Sequence, residues 1–358
     1  MIYLQLFFFS FLIAFLGKRK YSNIVCLVMM SVIFLLMGFR YGQGIDYFNY
    51  DWFFQNYKQN PYESYGMEPL YYLINKIVIY FDFSFQWVIF ITSFINIFFV
   101  YKVISKFSKN CMFSVLIMLA NYFLNFTSMI RQAVAMSIMI YAICCYFEDR
   151  HLDKYIIFVI IASLFHTTAF LCIFLPLFYF FDSLKIKNYY LFTIYSIVLM
   201  GLSFIFSKLL IEIITVLKPK YLYYISEIHF NVMSCGLRYV ISMLFIYLGK
   251  DSCKFEQKLL NAILVGNLVY FLINPFMSAS RVTEYFLFLE IIYVPNVLQI
   301  NKRNTFKIVV LSLFYLFLFC KDIKSYESLG KFNVNHAYEY PYINVFEKDS
   351  YSSYIISE

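Results

Sequence analysis

The stretch CMFSVLIMLANYFLNFTSMIRQAVAMSIMIYAICCYF, residues 111–147, contains one charged side chain, Arg131. An apolar helix needs roughly 20 residues to cross the hydrocarbon layer, so the stretch reads as two spans, 111–129 and 133–147, with Arg131 at the turn between them. Apolar runs of similar kind recur outward on both sides, at 2–16, 22–38, 84–101, 189–206, 237–249, 259–275, 284–300 and 308–320. The segment 155–181, interrupted by His166-Thr167-Thr168, reads as two short helices, 155–165 and 167–181. Residues 69–81 carry Asn75 and Lys76 and are expected at the membrane interface rather than across it. Of the 358 residues 62% are hydrophobic and only 14% charged, with 45 Phe and 35 Tyr. A soluble domain carries roughly a quarter charged residues, so neither a soluble enzyme nor a disordered chain fits. The expected fold is an all-α polytopic integral membrane protein of about twelve transmembrane helices. One bundle, 1–320, includes the polar loops 39–83 and 207–236, and an external tail follows at 321–358.

The charges orient this layout. The loops 17–21, 102–110, 148–154, 182–188, 250–258 and 301–307 hold sixteen Lys and Arg against six Asp and Glu, and the rest of the chain holds thirteen against fifteen. Basic residues near span ends mark the cytoplasmic side, which places both termini and the three long polar segments outside. The net charge of +8 therefore reads as membrane topology, and no nucleic-acid partner is expected. The first apolar run precedes Lys18, Arg19 and Lys20, the reverse of a secretory signal. The implied setting is a lipid bilayer with multiple crossings.

Four of the seven arginines, Arg40, Arg131, Arg238 and Arg281, fall on the outer side against the positive-inside tendency. Arg131, Arg238 and Arg281 each lie at the start of an inward-running span, where unpaired N–H groups and the helix dipole favour an anion. A guanidinium beside such a terminus suits phosphate, and three together suit a diphosphate. Taken singly, each arginine could equally reach lipid phosphates or a neighbouring carboxylate. Gly42 and Gly44, just after Arg40, permit a tight reversal. Asp46 follows as a candidate partner for arginine, a sugar-binding acceptor, a base, or a simple helix cap. Tyr47, Tyr50, Trp52, Phe53, Tyr57, Tyr62, Tyr65, Tyr71 and Tyr72 form an interfacial aromatic belt or stack on sugar rings. His166, ionisable within an apolar run, is a candidate base or a backbone-satisfying turn residue. Glu284, three residues after Arg281, is expected to pair with it, and Glu290 to face the bundle interior.

Other chemistries lack their signatures. The eight cysteines form no C-x-x-C pair, and His151, His166, His229 and His336 have no metal-ligand spacing. No D-x-D, P-loop or G-x-S-x-G occurs. No metal and no cofactor is expected. A transporter or flippase for lipid-linked oligosaccharide, a glycan ligase and a membrane acyltransferase stay open on this evidence alone.

Several short motifs then resemble one family in order along the chain. These are Arg40-Tyr41-Gly42-x-Gly44-x-Asp46-Tyr47-x-x-Tyr50, Glu68-Pro69-Leu70-Tyr71-Tyr72 running to Asn75, Ile130-Arg131-Gln132-x-x-Ala135, and Phe165-His166-x-Thr168-Ala169, with weaker matches at Gly236-Leu237-Arg238-Tyr239 and Pro341-Tyr342. The chain resembles the Wzy-type polysaccharide repeat-unit polymerases, in their EpsG-like branch. Where that family often has Lys-Ser after the histidine, this chain has Thr167-Thr168. The resemblance implies a membrane glycosyltransferase fold of the GT-C-like type in the bacterial cytoplasmic membrane, with its active site outside. It implies joining of undecaprenyl-diphosphate-linked oligosaccharides into O-antigen, capsular or exopolysaccharide, with a chain-length regulator as a further partner. On that reading Arg131, Arg238 and Arg281 contact diphosphate, and Arg40 and Asp46 order the site. His166 or Asp46 takes the acceptor proton. Tyr47, Tyr50, Glu68, Gln132, Tyr239 and Tyr285 bind sugar or support the site.

Overall fold

The computed structural model describes residues 2–16, 22–60, 66–182, 186–217, 230–276, 279–300, 305–330 and 344–347. Arg19, Tyr62, Tyr65, His229, Arg303, His336 and the Pro341-Tyr342 motif lie outside the described residues. Within them the chain is helical, with one isolated two-residue bridge and no strand. The helices are α1 (Ile2–Leu16), α2 (Ser22–Gly38), α3 (Tyr47–Gln59), α4 (Pro69–Tyr80), α5 (Phe85–Phe107), α6 (Cys111–Asn121), α7 (Phe123–Ser128), α8 (Ile130–Asp149) and α9 (Leu152–Ser163). A 3-10 segment, Thr167–Asp182, carries Pro176. There follow α10 (Tyr189–Leu217), α11 (Val232–Leu248), α12 (Lys254–Ile273), α13 (Ala279–Leu287), α14 (Glu290–Ile300) and α15 (Thr305–Gly330). α15 continues well past residue 320, through the expected start of the tail.

Three stretches, Phe85–Phe107, Ile130–Asp149 and Tyr189–Leu209, are long and apolar enough to cross a membrane. Shorter apolar stretches include Leu4–Ala14, Asn23–Gly38, Cys111–Asn121 and Val232–Leu248. α2 shows how such a helix is used. Cys26, Met29, Met30, Ile33 and Met37 are buried, while Ile24, Leu27, Val28 and Leu35 are exposed. α10 likewise exposes Ile194, Ile197, Val198, Phe204, Ile205 and Leu209. Apolar surface of this extent demands a non-aqueous neighbour, so these faces meet lipid. The core is built where α5 packs on α2 and α8, α8 on α9, and α12 on α10 and α13, with α6 set against α1, α14 and α15.

Two expected single spans are broken. The run 111–129 divides at Tyr122 into α6 and α7, and 284–300 divides at Phe288–Leu289 into α13 and α14. Both breaks face the same buried carboxylate. Glu290 Oε1 accepts from Asn121 Nδ2 at 2.6 Å and from Tyr122 Oη at 2.8 Å, and Oε2 accepts from Tyr315 Oη on α15 at 3.4 Å. Non-helical backbone at such depth is tolerated where it lines a polar interior.

At one end of the bundle the turns that sequence marks as basic come together. Lys109 Nζ pairs with Glu256 Oε1 at 2.8 Å, Lys106 with Glu148 at 2.5 Å, and Lys258 Nζ reaches the Phe147 carbonyl at 2.5 Å. The opposite end carries Asp46, Glu68, Arg131, His166 and Arg281. There Gly42 and Gly44 both have positive φ, 67° and 116°, which makes the reversal between α2 and α3. A Cβ on Gly44 would stand 2.3 Å from the Thr127 carbonyl oxygen. Gly44→Ala should therefore cost about 2 kcal/mol or more, read as a lowered thermal midpoint of the detergent-solubilised protein.

Candidate functional site

The site is assembled from five chain reversals, at the starts of α3, α4, α8 and α13 and at the end of α9. Pro69 at the first position of α4 requires an extended residue before it, and Glu68 has φ −65° and ψ 146°. The Leu70 amide then donates to the Leu164 carbonyl at 3.0 Å, which ties the start of α4 to the end of α9. His166 follows that end directly, so Glu68 and His166 meet although distant in sequence. Glu68 Oε1 is 3.1 Å from His166 Nδ1 and also faces the Thr167 amide at 3.4 Å. Its other oxygen, Oε2, pairs with Arg131 Nη1 in the first turn of α8. With Glu68 ionised, His166 Nδ1 must be the donor, which leaves Nε2 as the ring's acceptor atom. One carboxylate thus orients both a histidine and an arginine.

Arg131 is further fixed by aromatic faces. Its guanidinium carbon lies 5.5 Å from the Tyr50 ring centre and 5.9 Å from that of Tyr71, and Nε is 3.5 Å from the Tyr50 hydroxyl. Gln132, the next residue, donates through Nε2 to the Arg281 carbonyl at 2.8 Å, which brings the first turns of α8 and α13 side by side. The Arg281 side chain is exposed. Asp46, at the start of α3, lies in the field of both Arg281 and Arg131. Burial pushes its carboxyl above the ordinary carboxylate range, and the two guanidinium groups pull against that shift.

Glu68 shows the reverse balance. Burial raises its pKa, but the His166 hydrogen bond and the Arg131 charge outweigh this and hold it at about 2, against an ordinary 4.5. A depressed carboxylate adds stability above its ordinary pKa, and that contribution fades as pH falls toward the folded-state value. The thermal midpoint of wild type should exceed that of Glu68→Gln by a constant amount above pH 4.5, and the gap should close as pH falls toward about 2.

The other expected site residues divide. Arg40 is 1% exposed. It donates to the carbonyls of Met37, Gln43 (3.1 Å) and Thr127 (3.1 Å), and faces Ser93 Oγ at 3.4 Å. It clamps the turn after α2 onto α5 and the α7–α8 corner. Asp46 lies in the field of Arg281 and Arg131. Tyr47 is buried against Gln86, Tyr285 meets Thr168 Oγ1 at 3.0 Å, and Tyr239 meets Thr193 Oγ1 at 2.8 Å between α10 and α11. These three fasten helices to one another.

Arg238 does not open its helix, because the Asn231 side chain caps α11 earlier by accepting from the Ser234 amide. It stacks on Tyr270 at 3.8 Å and lines a cavity that Glu284 also lines. Glu284 forms no ion pair with Arg281 among the described residues. It is buried, and accepts from Gln132 Nε2 at 3.3 Å and Asn125 Nδ2 at 3.5 Å, while Arg281 points outward. The competing amides, invisible in local spacing, turn it inward. Arg281 and Arg238 both act on Glu284 electrostatically. Among the described residues no cluster of metal-binding side chains occurs.

Compared with known families, residues 23–344 match the EpsG family. The chain belongs to the EpsG family. The match runs from α2 to the 344–347 segment and so includes every residue of the site. Membership in the EpsG family carries a polymerase-like role in polysaccharide assembly, and with the apolar helices it marks a membrane protein. No curated protein and no solved structure matches the chain.

Proposed function

We propose that this EpsG-family chain polymerises undecaprenyl-diphosphate-linked oligosaccharide repeat units, at the outer face of the bacterial cytoplasmic membrane, through a GT-C-like bundle of about twelve spans. The observation that supports this most is Glu68, shared between His166 and Arg131, with Arg281 alongside. In the reaction an acceptor hydroxyl oxygen attacks the anomeric carbon of the growing glycan. The bond from that carbon to the diphosphate oxygen breaks, and the hydroxyl proton passes to His166 Nε2. Arg131 and Arg281 stabilise the charge that develops on the departing diphosphate, a role preorganised cations perform well. Glu68 keeps His166 in the tautomer that accepts the proton and stabilises the resulting imidazolium. Asp46, facing the same two arginines, is the second group able to take up a proton.

Deleting the gene should leave single repeat units on the lipid carrier, and restoring it should return long chains. Long chains surviving in a strain without a second polymerase would refute the reading. Long chains trapped on the lipid would instead identify a ligase, and repeat units trapped on the cytoplasmic side a flippase.

A further inference from the structure

The cavity at Arg238 has a volume of about 210 Å³ and is lined by Asn121, Asn125, Arg238, Asn267, Glu284 and Glu290 among others. At about 30 Å³ per water of liquid, it has room for a sugar ring. Both helix breaks open onto it, and two of its polar atoms are unsatisfied. Asn267 on α12 is 1% exposed, and its Oδ1 has no hydrogen-bond partner. The orientation of that amide is fixed by chemistry. Ser242 Oγ donates to the Arg238 carbonyl at 2.8 Å, so it can only accept from Asn267, whose Nδ2 stands 2.8 Å away. The carbonyl oxygen is thereby left as the unpaired atom. The second such atom is Arg238 Nη1, a buried donor on a guanidinium held flat over Tyr270.

Leaving buried polar groups unpaired costs roughly 1–3 kcal/mol each, and here an acceptor and a donor are orphaned in one cavity. A phosphate offers acceptors alone, whereas a sugar hydroxyl both donates and accepts. The wall also supplies carboxylates, from Glu284, Glu290 and Asp322, against the cations Arg238 and Lys321. Carboxyl groups in such a wall accept hydrogen bonds from sugar hydroxyls. Glu284, bonded to Gln132 next to Arg131, connects this cavity to the Arg131–His166 site.

We infer that this cavity is a saccharide subsite that seats one sugar ring of the lipid-linked repeat unit, with Asn267 and Arg238 as specificity-determining residues. The inference rests on the polymerase reading and adds to it where a substrate sugar is recognised. The test uses the full-length protein in detergent and two probes: the repeat-unit saccharide freed from the host polymer by mild acid, and inorganic pyrophosphate. Saturation-transfer NMR should detect the saccharide on wild type. Asn267→Leu and Arg238→Gln should each weaken it at least tenfold, while pyrophosphate binding stays within twofold of wild type. In elongation assays the same variants should raise KM with a smaller change in kcat. Should Asn267→Leu misfold, judged by its thermal midpoint, Arg238→Gln carries the test from the facing wall. Saccharide binding unchanged in the folded variants, or pyrophosphate weakened as much as saccharide, overturns the assignment. If Arg281→Ala still abolishes elongation in that case, the subsite falls and the polymerase reading stands. If long chains survive deletion of the gene, the failure lies with the polymerase reading itself.

Discussion

Replacing Arg281 by alanine will stop chain elongation without disturbing the fold. The side chain is exposed and makes no hydrogen bond or ion pair among the described residues, and its neighbour Gln132 is bound to its backbone carbonyl, which alanine retains. Substitutions at such positions usually change stability by less than about 0.5 kcal/mol. Removal of one preorganised donor from a site of developing negative charge typically costs about 10²–10³ in kcat. Gel analysis of the polymer should show single repeat units, with protein level, membrane insertion and thermal midpoint at wild-type values. Arg281→Lys should recover little, because a point charge does not reproduce a bidentate guanidinium contact. Wild-type chain lengths in Arg281→Ala would remove this residue from the reaction.

Glu68→Ala should be more damaging, because it strikes both the fold and the chemistry. The carboxylate is buried and holds Arg131 with one oxygen and His166 with the other. Truncation leaves a mostly buried guanidinium unpaired, a change that costs about 3 kcal/mol or more, and it frees the imidazole to rotate. The thermal midpoint should fall and elongation should be lost together. Glu68→Gln separates the two effects: the amide fills the space and can still hydrogen-bond, so the midpoint recovers in part. Activity stays low because a neutral amide cannot stabilise an imidazolium. Glu68→Gln with full activity would show that Glu68 is a structural anchor alone.

Much of the architecture was legible because lipid imposes so strict a demand on composition. The runs 2–16 and 22–38 coincide with α1 and α2, the interfacial run 69–81 with α4, and the interruption at His166 with the passage from α9 to the 3-10 segment. The breaks at Tyr122 and at Phe288–Leu289 were not legible. Neither contains Gly or Pro, and what opens each helix is the gathering of Asn121, Tyr122 and Tyr315 around Glu290, a tertiary event. For the site, every motif that carries Glu68, Arg131 and His166 could be recognised, yet their convergence could not be read, since it depends on the Leu70–Leu164 backbone link. Arg40 illustrates the converse. An arginine bound for backbone carbonyls looks the same in a sequence as one bound for phosphate. Asn267 and Ser242 gave no signal at all, because a polar side chain inside an apolar run has no visible partner until helices are packed.

The short segment 344–347 lies on the turn that Arg40 clamps. Val345 N donates to the Phe39 carbonyl at 2.9 Å, Asn344 bridges Arg40, and the Phe346 ring lies 5.7 Å from that of Phe39. A contact between residues so far apart in sequence pays a large loop-closure entropy, so the latch closes on helices that have already assembled around it.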